Sequence, residues 1–177
     1  MIMDNYPNCL YTAYAAQNQC QCGGGSSAGC FGSRGAVLSC GSGSAGPLPI
    51  TDLAGASIVN PYSVASVTLN TKGLKKPSVL ITFTGMISVP LGALPSLTFR
   101  VRKACNGASQ AIGGSFSYSS AIDALHSDAF SFQICDCGEC CDCVTYTVEI
   151  SNATLAQVGT TVSGTVSAIA VENGCCG

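Results

Sequence analysis

Val144-Thr145-Tyr146-Thr147-Val148-Glu149-Ile150 is the stretch whose reading decides the fold. Apolar Val144, Tyr146, Val148 and Ile150 alternate with Thr145, Thr147 and Glu149, the two-residue period of a strand with one buried face. The same period continues outward from it. Upstream, Leu97-Thr98-Phe99-Arg100-Val101-Arg102 sets Leu97, Phe99 and Val101 against Thr98, Arg100 and Arg102. Val64 to Leu69 alternates and breaks at Lys72-Gly73, and Val79 to Thr84 ends at Gly85. Ser115 to Tyr118 and Ala129 to Ile134 are two further short runs, and Asp123 to Ser127 reads as one short turn. Downstream, the run Val162 to Val171 opposes Val166, Ala168 and Ala170 to Thr165, Ser167 and Ile169.

Close-spaced strands with almost no helical periodicity predict two packed antiparallel sheets. The expected fold is an all-β, antiparallel β-sandwich of jelly-roll type, with an immunoglobulin-like sandwich as the second form. No repeat of about 20–50 residues is visible, which excludes a propeller or solenoid.

Residues 1 to 50 differ in kind. Gly23-Gly24-Gly25-Ser26-Ser27-Ala28-Gly29 and Gly41-Ser42-Gly43-Ser44-Ala45-Gly46-Pro47 have linker composition, and Tyr6, Leu10, Tyr11 and Tyr14 supply a few apolar anchors. The sequence therefore predicts a flexible Cys/Gly/Ser-rich connector arm over 1–50 and a sandwich domain over 51–177. The second part is long enough to bury a core without help from cross-links.

Only 9% of the chain is charged, against roughly 25% in an ordinary soluble domain. A surface so poor in charge suits an assembly better than a free monomer. A net charge of −2 argues against nucleic acid as a partner, because phosphate binding rests on Lys and Arg. No run approaches the roughly 18 apolar residues of a membrane-spanning helix. Met1-Ile2-Met3-Asp4-Asn5-Tyr6-Pro7 lacks the basic and apolar regions of a secretory signal, which predicts release by another route, such as lysis.

Thirteen cysteines are unusual for a cytosolic protein, and an odd number cannot pair fully within one chain. Five of them, Cys135, Cys137, Cys140, Cys141 and Cys143, crowd one hairpin between two strands. Disulfides are the favoured reading; a metal-thiolate site on Cys137 and Cys140 is the alternative. Cys105, beside the turn Asn106-Gly107, is a candidate intradomain partner for this cluster. Adjacent Cys175 and Cys176 have Cα atoms about 3.8 Å apart, whereas a disulfide wants about 5.5 Å, so they point to separate partners. With the arm cysteines Cys9, Cys20, Cys22, Cys30 and Cys40 they are the candidates for disulfides between subunits. The alternative for the arm is to fold back on its own domain.

Catalytic patterns are missing. His126 is the single histidine, and its polar neighbours Asp123, Ser127 and Asp128 are adjacent in sequence rather than gathered from separate elements. Gly23-Gly24-Gly25 lacks the Lys-Ser/Thr of a phosphate loop, and Asp136, Glu139 and Asp142 read as a solvated hairpin tip. The expectation is a protein that is not an enzyme and needs no cofactor. Outward strand positions carry hydroxyls in place of charge: Ser66, Thr68, Thr82, Thr145, Thr147, Thr165 and Ser167. Edges without protecting charge suit pairing with other chains.

A jelly-roll domain of this size, a flexible cysteine-bearing N-terminal connector and the lack of a signal peptide together resemble bacterial endospore appendage (Ena-type) subunits. The stretch from about Val64 to Val171, with Asp128-Ala129-Phe130-Ser131-Phe132, the Cys135 to Cys143 cluster and Tyr146-Thr147-Val148-Glu149, is also similar to a cysteine-rich clostridial family. The resemblance implies a spore-surface fibre in which each arm docks on preceding subunits and is held by intersubunit disulfides. It implies release by mother-cell lysis, and an extracellular location. The chain departs from the appendage connector in having single Cys9, then Cys20 and Cys22, near its start, with adjacent cysteines at its other end. The main expectation is thus a self-assembling structural protein whose partner is itself. The alternatives are a metal-thiolate protein and a carbohydrate- or receptor-binding module, the latter requiring exposed aromatic platforms in a chain without Trp.

Overall fold

A computed structural model describes residues 35–48, 61–91, 93, 95–120, 125–137, 142–153 and 159–172. They form eight strands: β1 (Ala36–Ala45), β2 (Tyr62–Asn70), β3 (Pro77–Val89), β4 (Ser96–Cys105), β5 (Ala108–Ser119), β6 (His126–Cys137), β7 (Cys143–Ala153) and β8 (Thr161–Glu172). Among the described residues there is no helix. The strands pair antiparallel into two four-stranded sheets, ordered β1-β8-β3-β6 and β2-β7-β4-β5. That order is the jelly roll, not the immunoglobulin sandwich.

Alternation builds the core. Along β3, Val79, Ile81, Phe83, Ile87 and Val89 are buried while Leu80, Thr84 and Met86 face out. Leu97, Phe99 and Val101 of β4 and Val144, Tyr146, Val148 and Ile150 of β7 meet them from the opposite sheet. Phe83 packs on Phe99 at 6.0 Å between ring centroids, joining the two layers, and on Phe132 at 5.3 Å within its own sheet. The side where β5 and β6 lie as free edges is closed by stacked Phe116 and Phe132, 4.0 Å apart.

Two sequence expectations change. Gly41 to Ala45 is not a linker but the second half of β1, paired along its length with β8. The glycines have a steric reason. A Cβ at Gly41 would collide with the carbonyl oxygen of Ser66, and one at Gly43 with that of Val64, because β1 crosses β2 at backbone contact. The sandwich therefore already includes Ala36, well before the expected boundary at residue 51, and Cys40 belongs to the sheet. Cys9, Cys20, Cys22 and Cys30 lie outside the described residues, as do Cys140, Cys141, Cys175 and Cys176. The turn expected over Asp123–Ser127 gives way to strand from His126 onward.

The two-residue β4–β5 connection is Asn106-Gly107, with φ of 49° and 79°. Both values are positive, as a type I′ hairpin turn requires.

Candidate functional site

Antiparallel pairing gives the sandwich two poles. β1, β3, β5 and β7 start at the pole where β2, β4, β6 and β8 end. The register Ala36–Val171–Ser78–Cys137 runs across one sheet at this pole, and Asn70–Cys143 and Cys105–Val144 mark it in the other. The described chain begins and ends here: the Glu172 amide donates to the Gly35 carbonyl at 2.9 Å. Segments 71–76, 106–107 and 138–142 close this pole. Segments 46–61, 90–95, 120–125 and 154–160 join strands at the other.

The cysteines follow this polarity. Cys105, Cys135, Cys137 and Cys143 stand at the first pole, and Cys140 and Cys141 fall in the connection that closes it. In sequence, Cys9, Cys20, Cys22 and Cys30 precede Gly35, and Cys175 and Cys176 follow Glu172, the two residues at which the described chain begins and ends. The four connections of the opposite pole contain no cysteine. Cys40 lies on β1, opposite Ser167.

Their chemical states differ. Cys105 and Cys143 are disulfide-bonded and so are not available as thiolate ligands. Cys40 and Cys135 are free thiols, half-buried and exposed respectively. The Cys137 sulfur lies 3.7 Å from the Ser78 hydroxyl. Cys40, Cys135 and Cys137 all face outward from the same sheet, because β1 and β6 place these positions on its solvent side. Among the described residues no three His, Cys, Asp or Glu side chains gather closely enough to hold a metal ion.

Cys135-Asp136-Cys137 also shows what the strand period does to a dense motif. The cysteines face out and Asp136 faces in. There it accepts a hydrogen bond from the Tyr146 hydroxyl at 2.7 Å and pairs with Lys103 at 2.6 Å. Lys103 comes from β4 of the other sheet, and the two charged side chains are only 8% and 12% exposed. Asp136 is thus not part of a solvated tip; it ties the sheets together beneath the thiols. Burial, then the Asp136 carboxylate, push the Tyr146 hydroxyl above its ordinary ionisation range.

At the far pole His126 is half-buried rather than a bare surface residue. Its Nε2 meets Ser120 Oγ at 2.9 Å and Asp128 Oδ2 at 3.3 Å. A catalytic triad needs the carboxylate on one ring nitrogen and the hydroxyl on the other. Here both approach the same nitrogen, so the imidazole cannot relay a proton between them. Asp128 also accepts from Tyr118 at 2.6 Å. Burial and this carboxylate push the Tyr118 hydroxyl up to about 12. Among the described residues Tyr62, Phe116 and Phe130 are half-buried, and the other aromatic side chains are buried.

The hydroxyl-rich outward positions lie on strands as the alternation predicts, whereas Cys135 and Cys137, expected in a hairpin loop, and Cys40, expected in the arm, stand on β6 and β1. Lys103 and Asp136 were missed as partners. The signal was present in each strand's parity: Lys103 continues the inward series Leu97, Phe99, Val101, and Asp136 continues Phe132, Ile134.

A family model described as a domain of unknown function (DUF4489) matches residues 34–171. The match begins just before β1 and ends within β8, so it covers the sandwich. No curated protein matches the chain.

Proposed function

The chain belongs to the DUF4489 family, and we propose that it is a structural, non-enzymatic subunit that assembles with copies of itself into an extracellular, disulfide-cross-linked fibre. The segment upstream of the sandwich docks on neighbouring subunits, and the cysteines there and after Glu172 supply the covalent links.

The observation that carries this reading is the polarity of the cysteines. Four of the five described cysteines, Cys105, Cys135, Cys137 and Cys143, stand at the pole where the described chain begins and ends, and the segments that connect strands at the other pole contain no cysteine in sequence. A disulfide needed only to hold the fold has no reason to be restricted in this way. Links that run from one subunit to the next along an axis do. Disulfides at Cys105 and Cys143 favour an oxidising surrounding over the cytosol. The low charge, the odd cysteine number and the likeness to endospore appendage subunits support a fibre on the spore surface.

The test is a denaturing gel with and without reductant, beside negative-stain electron microscopy of the untreated protein. We expect a ladder, or material held in the well, that collapses to the 17.8 kDa chain only with reductant, together with fibres on the grid. A single monomer band in both lanes and a grid without polymer would overturn the reading.

A further inference from the structure

The outer face of the β1-β8-β3-β6 sheet carries no charged side chain at any outward position among the described residues. Seven large hydrophobic side chains are exposed among the described residues, and five stand on this one face: Leu38 at 67%, Met86 at 45%, Ile169 at 41%, Val171 at 40% and Leu80 at 37%. The other two, Leu91 and Leu125, sit in connections at the far pole.

The five are ordered. Leu38, Ile169 and Leu80 are direct register partners on β1, β8 and β3, so they form one apolar ridge across the sheet. Two rows of small or hydroxylic residues follow. The next row is Ser44, Ser163 and Met86, where the side chains are short except for Met86. Ridge and low row are equally far from the centre of the face.

We propose that this face is a docking surface for a second copy of the chain, packed sheet on sheet about a two-fold axis. The axis lies in the interface, across the strands, midway between the ridge and the low row. It sets the Leu38–Ile169–Leu80 ridge of each copy into the Ser44–Ser163–Met86 row of the other, the self-complementary arrangement of an isologous contact.

Three considerations select a second copy as the occupant. Neither partner buries a charge, whereas a charged partner would have to strip water from its own groups without gaining an ion pair. Hydroxyl rows on both sides exchange hydrogen bonds with one another. The size also fits. Four strands about 4.8 Å apart and six outward rows about 6.8 Å apart give roughly 780 Å² per copy, about 1,600 Å² for the pair, within the range of specific interfaces.

This inference deepens the self-assembly reading but is separable from it, because the contact is non-covalent. The full-length chain is examined by sedimentation equilibrium in reductant, which removes every disulfide link. We expect dimers or larger species. Ile169→Lys buries an uncompensated charge in the proposed contact and weakens self-association by roughly a hundredfold or more. Thr147→Lys, on the outer face of the other sheet, leaves it unchanged. Both positions point outward, and equal melting temperatures verify that both variants fold.

A monomeric reduced wild type, or equal sedimentation of all three chains, would overturn the proposal. So would unchanged sedimentation of Ile169→Lys with faster tryptic cleavage after Arg34, which would assign the face to the chain's own residues 1–34. The covalent reading is scored on the oxidised gel. A missing ladder with a dimer in reductant breaks that reading and supports the face contact. A ladder with a monomer in reductant does the opposite.

Discussion

On the outer face of β2-β7-β4-β5, Arg100 and Arg102 flank Glu149, with contacts of 2.5 and 4.0 Å. On the outer face of β1-β8-β3-β6, the central rows hold Ser167, Thr82 and Gln133, with Gln133 donating to Thr82 at 3.1 Å. The inner faces of the two sheets obey one rule, since each must fill the same core. The outer faces are free of that demand and have diverged. One keeps the charge that holds soluble proteins apart; the other has shed it and gathered leucine, isoleucine, methionine and thiols instead. What folding leaves unconstrained is where a protein is free to vary its surface.

Lys103 and Asp136 form a buried ion pair between the two sheets, and separating that pair is the largest predicted effect. Lys103→Met leaves Asp136 buried without its counter-charge, at a cost of about 3–5 kcal/mol. Denaturant unfolding measures it. Reversion toward wild-type stability in Lys103→Met with Asp136→Asn would show that the stranded charge, rather than lost packing, is responsible.

Next comes the charged face itself. Glu149→Gln removes the negative charge that accepts from Arg100 and pairs at longer range with Arg102, an expected loss of about 1.5–3 kcal/mol. The reverse change, Gln133→Glu on the uncharged face, is expected to shift stability by no more than about 0.5 kcal/mol. If both substitutions cost the same, the contrast between the faces has no energetic content.

A third test addresses the crossing of the sheets at β1 and β2. Gly41→Ala forces a Cβ against the Ser66 carbonyl, costing about 1–3 kcal/mol, whereas Ser42→Ala on the outward side of the same strand is close to neutral. Thermal melts of the pair read the difference directly.

The smallest effect is confined to alkaline solution. Tyr118 on β5 ionises less readily folded than unfolded, because burial and Asp128 of β6 disfavour its phenolate. Folding therefore gains from the neutral form. That gain is complete below pH 10 and is lost as pH rises through about 12. A denaturation midpoint followed against pH should fall across this window, and Tyr118→Phe should flatten the part of the fall that Tyr118 supplies.

Most of the fold was legible because strand alternation is a local signal. β4, β7 and β8 announce their inward faces in sequence, and Ile169 is already marked as outward by its neighbours Ala168 and Ala170. β1 was not legible. Its glycines serve a contact with Ser66 and Val64, more than twenty residues away, and composition alone cannot separate a glycine that confers flexibility from one that permits backbone contact. Asp136 was misread for a related reason: its partner Lys103 lies on another sheet, and only the third dimension brings them together. The polarity of the cysteines was equally hidden, since a linear sequence has no poles until the strand order is known.

The position of β8 carries a kinetic consequence. It fills the gap between β1 and β3 and pairs with both along nearly their whole lengths. It is also the last of the eight strands to leave the ribosome. Until it emerges, that sheet consists of a pair, β3 and β6, with β1 stranded, and the hairpin cysteines have been synthesised onto a scaffold that cannot close. Non-local pairing of this kind folds slowly and leaves edges open meanwhile. A nascent chain oxidised at this stage would meet the oxidant before strand pairing has brought its thiols to their final places. Oxidation after β8 has docked, rather than before, is the order of events that the strand order favours.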